Sequence, residues 1–168
     1  MEEDVQQLLR SRRYSQALER LLDLYQTKVF RLALSILRNP ARAEDITQDV
    51  FVKLLQVLPR YDGRAALGTW IYTIARNTCL SVLRSDSYRK TISLDKTREP
   101  AIPSEGSTDL ELLQCIDRLP EIQKEVITLF YLEEKQVGEV GRVLNLPEGT
   151  VKSHLHRARL ALAAMLKE

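Results

Sequence analysis

Apolar positions recur at intervals of three and four along most of this chain, the period of an amphipathic α-helix and not the alternation of a strand. Val29, Leu32, Ala33, Ile36 and Leu37 form one stripe, which stops at the turn signal Asn39-Pro40. Ile46, Val50, Leu54, Val57 and Leu58 form the next and end before Pro59. After the turn at Asp62-Gly63, a third helix face follows in Trp70, Ile71, Ile74, Ala75, Leu80 and Leu83. Trp70, a lone Trp on an apolar stripe, is read as a core residue. Upstream, Ser15 is placed to cap a helix carrying Ala17, Leu18, Leu21, Leu22 and Tyr25.

From Ser85 to Thr108 the periodicity gives way to Ser, Asp, Lys, Arg, Gly106 and two prolines, Pro100 and Pro103. A stretch of that length and composition reads as a linker and not as a tight loop. The helical period resumes at Leu110, Leu113, Ile116 and Leu119, and Pro120 opens a helix containing Val126, Ile127, Leu129 and Phe130. The pattern predicts an all-α protein of two small helical domains, residues 1–84 and 109–168, joined by a flexible linker over 85–108.

The last helical stretch has a distinct build. Val137 to Leu144 predicts a short helix, Asn145-Leu-Pro a turn, and Thr150 to Leu166 a second helix without a single acid. Gly141 stands where two such helices cross closely, and Asn145 where the turn needs a left-handed backbone. Val140, Leu144, Leu146, Val151 and Leu155 would form the small shared core. Pro147 is placed to start the second helix, whose free amides suit a phosphate. Lys152, Ser153, His156 and Arg157 would then face outward. This is a helix-turn-helix, whose basic second helix a DNA major groove accepts. The fork of Arg157 matches the O6 and N7 acceptors of guanine.

Net charge is only +2 over 168 residues, but the charge is segregated. Arg60 to Arg98 holds eight Lys or Arg against three Asp, whereas Glu99 to Gly149 holds eleven acids against four bases. The two basic stretches are candidate phosphate-contacting surfaces. No apolar run approaches the roughly 18 residues of a membrane span. The acidic start, Met-Glu-Glu-Asp, argues against a secretory signal, and a cytoplasmic location is expected. Cys79 and Cys115, in apolar helical surroundings, read as reduced structural thiols. His154 and His156 lie about 200° apart on a helix and cannot easily share an ion, so no metal or other cofactor is expected.

Two blocks, in order, carry a family resemblance. Leu119-Pro-Glu through Gly149-Thr-Val-Lys-Ser-His-Leu-His-Arg-Ala-Arg resembles region 4 of the extracytoplasmic-function (ECF, group IV) sigma factors of bacterial RNA polymerase. Ala43-Glu-Asp-Ile-Thr-Gln-Asp-Val-Phe-Val-Lys is similar to their region 2.2, and Gly68-Thr-Trp-Ile-Tyr-Thr-Ile-Ala-Arg-Asn to regions 2.3 and 2.4. The likeness takes in everything except the first dozen residues and the linker.

The resemblance implies a division of labour. Asp45, Gln48 and Asp49 match positions that dock on the coiled coil of the polymerase β′ subunit, and the β subunit is a further expected contact. Asn77 matches the position that captures a flipped base of the −10 element, and a side-chain amide can both donate to and accept from a base edge. Tyr61 and Arg64 would complete that pocket, and Arg76, Arg84, Arg89 and Lys90 would hold the opened strand. Thr150, Lys152, Ser153, His156 and Arg157 fall on positions that read the −35 element. The chain departs from the family at Gly138-Glu-Val-Gly, where Glu-Ile-Ala is usual, which loosens the helix by roughly 1 kcal/mol per added Gly. His154 and His156 also stand where Arg or an aromatic residue is common, so no −35 preference transfers. The family implies an anti-sigma partner, often membrane-tethered, and no catalytic activity in the chain itself. The competing readings are a stand-alone helix-turn-helix regulator with a dimerising or sensing N-terminal domain, and a helical enzyme. Neither a phosphate-binding Gly-rich loop nor clustered carboxylates favours the enzyme.

Overall fold

The helical period is realised throughout the computed structural model, which describes residues 1–92, 107–132 and 134–167. Among the described residues there are eight α-helices and no strand: α1 (Glu2–Arg10), α2 (Tyr14–Leu37), α3 (Pro40–Val57), α4 (Leu67–Ile92), α5 (Ser107–Asp117), α6 (Glu121–Ile127), α7 (Val137–Leu144) and α8 (Glu148–Leu166). A 3-10 turn at Leu58–Arg60 follows α3, and a π turn at Thr128–Leu132 extends α6.

The first domain is built on α2. Its buried side, from Ala17 through Leu21, Tyr25, Val29 and Leu32 to Ile36, packs against α1, α3 and α4. The two stripes on either side of Gln26 belong to this one helix. It starts at Tyr14 with Arg13 as its N-cap, so Ser15 lies inside the first turn and caps nothing. Arg38 ends it in the left-handed region at φ 56°. Asn39 then caps α3, its Oδ1 accepting from the Arg42 amide at 3.1 Å, with Pro40 at the first helical position. This corner turns α3 back onto α2 and buries Ala43, Ile46, Val50, Phe51 and Leu54 between them.

In the second domain α8 is the spine, against which α5, α6 and α7 pack. Asn145 adopts φ 56° and ψ 48°, the left-handed turn expected of it. Gly141 is required by its neighbour in the turn: an added Cβ would lie 2.7 Å from the Leu146 carbonyl oxygen. Pro147 is the N-cap of α8, and Glu148 is its first residue, so an acid does sit in its first turn. Val140, Leu144, Val151 and Leu155 are buried as expected, and Leu146 is partly buried.

Three features depart from the sequence reading. Residues 2–10, left unassigned, form α1, which buries Val5 against α2. The Val5, Leu8 and Leu9 spacing carried that signal, but a single helical turn of it is weak alone. The expected linker begins as helix, because α4 runs on past Ser85 to Ile92. The remainder, 93–106, lies outside the described residues. The two domains are also packed together: α4 contacts α7, α2 contacts α6, and one apolar core cluster runs from Val5 to Ala158.

The glycines of the helix-turn-helix should respond differently to alanine. Gly141→Ala must displace the Leu146 backbone and is expected to cost about 1–3 kcal/mol. Gly149 has open space around it, and Gly149→Ala should stabilise by about 0.5 kcal/mol through helix propensity. Urea titrations of both variants check the pair.

Candidate nucleic-acid interface

The face of α8 opposite its buried side is set by the helical period. Val151, Leu155 and Ala158 point into the core, so Lys152, Ser153, His156 and Arg157 are exposed together, with Thr150 half-buried at their edge. The Ser153 hydroxyl donates to the Gly149 carbonyl at 3.0 Å. Arg159, on the same helix, is engaged elsewhere. Its guanidinium lies over the Phe130 and Tyr131 rings, 5.7 and 5.4 Å from their centroids, and donates to the Tyr131 hydroxyl. It ties α8 to the π turn. His156 is exposed, whereas His154 is half-buried with its Nδ1 enclosed and unpartnered.

On α3, Asp45, Gln48 and Asp49 are all exposed, while Ile46, Thr47 and Val50 between them are buried. Val52 and Leu55 continue that outer surface and leave apolar area in water, 61% and 42% exposed. Such side chains beside a polar face mark a docking surface. Sequence reasoning missed these two. Both interrupt a polar face without belonging to the buried stripe, and that interruption was the available signal.

The third group surrounds the start of α4. Asn77 is exposed on this helix, and Arg84 is exposed further along it. Tyr61 and Trp70 pack ring to ring with centroids 4.8 Å apart, and the Tyr61 hydroxyl donates to the Ala65 carbonyl at 2.6 Å. Trp70 is therefore at the margin of the core and not inside it. Asp62 holds the loop by accepting from the Arg64 amide at 3.0 Å, and the Arg64 side chain stands in solvent. The Arg89 and Lys90 side chains lie outside the described residues.

Arg76 is the exception. It is not presented beside Asn77: its Nε donates to Glu125 Oε2 on α6 at 2.6 Å, and the two side chains are only 17% and 7% exposed. The sequence reading placed Arg76 on an open basic surface, and the packing of α6 against the first domain overturns that placement. One stripe of α4, Gly68, Tyr72, Arg76 and Cys79 at intervals of four, four and three, faces the second domain instead of solvent.

Burial sets the electrostatics here. Desolvation raises the pKa of Glu125, and its hydrogen bond to Arg76 offsets only part of that rise. Burial, helped by the Glu125 charge, pushes the Cys79 thiol up to about 12, so it stays protonated and unreactive. Cys115 is likewise buried and free. Lys124, with 1% of its surface exposed, has its pKa lowered by desolvation and is held by Asp117 at 3.0 Å.

A model of sigma-70 region 2 matches residues 21–89, and one of sigma-70 region 4 matches residues 109–162. The ECF RNA polymerase sigma factor SigW of Bacillus subtilis is 30% identical over 164 residues, covering 88% of each chain. The chain belongs to the ECF sigma factors. SigL of Mycobacterium tuberculosis, another ECF sigma factor, is 32% identical, again over 88% of both chains. Among solved structures, the sigma factor RpoE of Bartonella quintana, in complex with the anti-sigma factor NepR, has the same fold. Its TM-score is 0.82 at 23% identity, covering 89% of this chain and 96% of that one. CnrH, in complex with the cytosolic domain of CnrY, gives 0.71 at 21% identity over 97% of both chains. As a sigma factor, the protein directs RNA polymerase to promoters. The stand-alone regulator reading is not favoured.

The raised pKa of Glu125 gives a signed prediction. A carboxyl group with a higher pKa in the folded than in the unfolded state contributes stability that is fully present below the usual value of 4.5. That contribution is lost as pH rises through the raised value. The stability of the wild type minus that of Glu125→Gln should therefore fall as pH climbs across this window. Parallel pH–stability curves would contradict the assignment.

Proposed function

We propose that this sigma factor binds core polymerase through Asp45, Gln48 and Asp49 on α3, which meet the β′ coiled coil, with a further contact on the β subunit. Its first domain takes the −10 element and its second the −35 element, and the two together let the holoenzyme open the promoter. Residues 1–84 carry the first task and 109–168 the second. The exposure of Asn77 on α4 together with Lys152, Ser153, His156 and Arg157 on α8 carries this reading. The chain keeps two separate DNA-facing groups in water on helices that are otherwise well packed.

The chemistry of each group fits its task. The Asn77 amide can pair with the edge of an unstacked base, with Tyr61 and Arg64 bordering it and Arg84 and Arg76 holding the strand. On α8, Arg157 suits bidentate guanine contact, while Lys152, Ser153, Thr150 and His156 serve neighbouring bases and phosphates. The acid Glu148 in the first turn of α8 weighs against a phosphate docking directly on that helix N-terminus. Catalysis resides in the polymerase, not in this chain. We further infer an anti-sigma partner: RpoE and CnrH, which share the fold, are each in complex with one or with its cytosolic domain. That partner, possibly membrane-tethered in the way such inhibitors often are, would act on a cytoplasmic sigma factor. No helix among the described residues is long and apolar enough to cross a membrane.

Transcription in vitro with purified core polymerase on genomic templates tests the whole reading, and promoter-specific transcripts are expected only when the sigma factor is added. Asn77→Ala should keep core binding and lose strand opening by roughly 10-fold or more, the weight of one good base contact. Opening at the wild-type rate, followed by permanganate footprinting, would remove Asn77 from that role.

A further inference from the structure

The packing of the two domains is polar as well as apolar, and its polar contacts are spread along the interface. Arg76 of α4 meets Glu125 of α6 at 2.6 Å. At the α2 corner, Arg38 donates from Nη2 to the Asp117 carbonyl at 2.9 Å. It also lies 3.5 Å from the Asp117 carboxylate and 3.3 Å from that of Glu121. Near the start of α4, Lys135 places its Nζ 5.3 Å from the Tyr72 ring centroid. Gly68 leaves room for it, since an added Cβ would come within 2.6 Å of that Nζ. All three cations bridge the domains, and none is needed to build either domain by itself.

We propose that these contacts form an intramolecular clasp that holds the free sigma factor closed, with Arg76 shared between the clasp and DNA. In the closed chain its guanidinium serves Glu125; in the open chain it serves the phosphates of the −10 strand. The two uses exclude each other, because one guanidinium cannot be enclosed between α4 and α6 and also reach DNA. The DNA half of this proposal rests on the role given to Arg76 above, whereas the clasp rests on geometry alone.

The device suits reversible opening. A buried ion pair recovers little more than the cost of desolvating it, but a single partner left behind is strongly unfavourable. The closed state is thereby specified without being made very stable. Anything that supplies Arg76 with another anion, or draws α6 away, releases both domains at once.

Small-angle scattering on the full-length chain reads the clasp directly. The wild type should have a radius of gyration near the ~15 Å of a compact chain of this length. Glu125→Ala should be larger, as should Glu121→Lys, an exposed substitution that leaves the core intact. The exchange of Arg76→Glu with Glu125→Arg should restore the compact value, with helical content by circular dichroism unchanged throughout. Wild-type dimensions in both Glu125→Ala and Glu121→Lys would overturn the clasp. In parallel, Glu125→Ala should bind a short mixed-sequence single-stranded DNA roughly 10-fold more tightly, the worth of one charge-assisted hydrogen bond. Adding Arg76→Ala should abolish that gain. An expanded chain whose gain survives Arg76→Ala would uphold the clasp and overturn the DNA role of Arg76.

Discussion

Arg76 and Glu125 are taken out of water together where α4 meets α6, and the arrangement of the two domains depends on how that cost is met. A guanidinium held between two helices needs an anion within hydrogen-bond reach, and Glu125 stands 2.6 Å away. Burial raises the Glu125 pKa even so, which shows that its partner does not fully replace water. Such a contact selects one docking geometry over others more than it stabilises that geometry. The apolar core that runs on from the first domain into the second supplies the driving force, and the ion pairs supply the register.

The segregation of charge along the chain takes on a different meaning in this light. The acidic stretch from Glu99 to Gly149 contributes Asp117, Glu121 and Glu125, and the first domain contributes Arg38 and Arg76. Part of the charge that suggests nucleic-acid contact is thus spent within the molecule. What remains free to meet DNA is narrower than the count of basic residues implies: Arg64 and Arg84 near Asn77, and Lys152 and Arg157 on α8. Arg159, anchored on Phe130 and Tyr131, belongs to the scaffold.

Helical order and face were legible wherever one side of a helix is buried and the other wet. The α8 surface is the clearest case, because Val151, Leu155 and Ala158 leave Lys152, Ser153, His156 and Arg157 no choice but to face out. The same logic placed Asp45, Gln48 and Asp49 in solvent on α3, and the backbone demands of Gly141 and Asn145 were equally plain. It failed on α4, which has two packed sides. There Trp70 moves to the margin beside Tyr61, while Tyr72 and Cys79 are buried against elements far along the chain. A helix that serves two domains has no single apolar stripe to read.

The amino-acid sequence by itself determined the all-helical class, the helix-turn-helix, the family and the outward faces of α3 and α8, because periodicity and turn chemistry are local properties. The division into two domains was visible for the same reason. Their docking was not, and neither was the fate of Arg76. Whether an arginine on a helix meets water, a phosphate or a distant carboxylate is decided by which helix is laid across it, and α6 is reached only after a long polar stretch of chain. Tertiary structure alone brings Glu125 to Arg76, and with it decides which of the basic residues stay open to DNA.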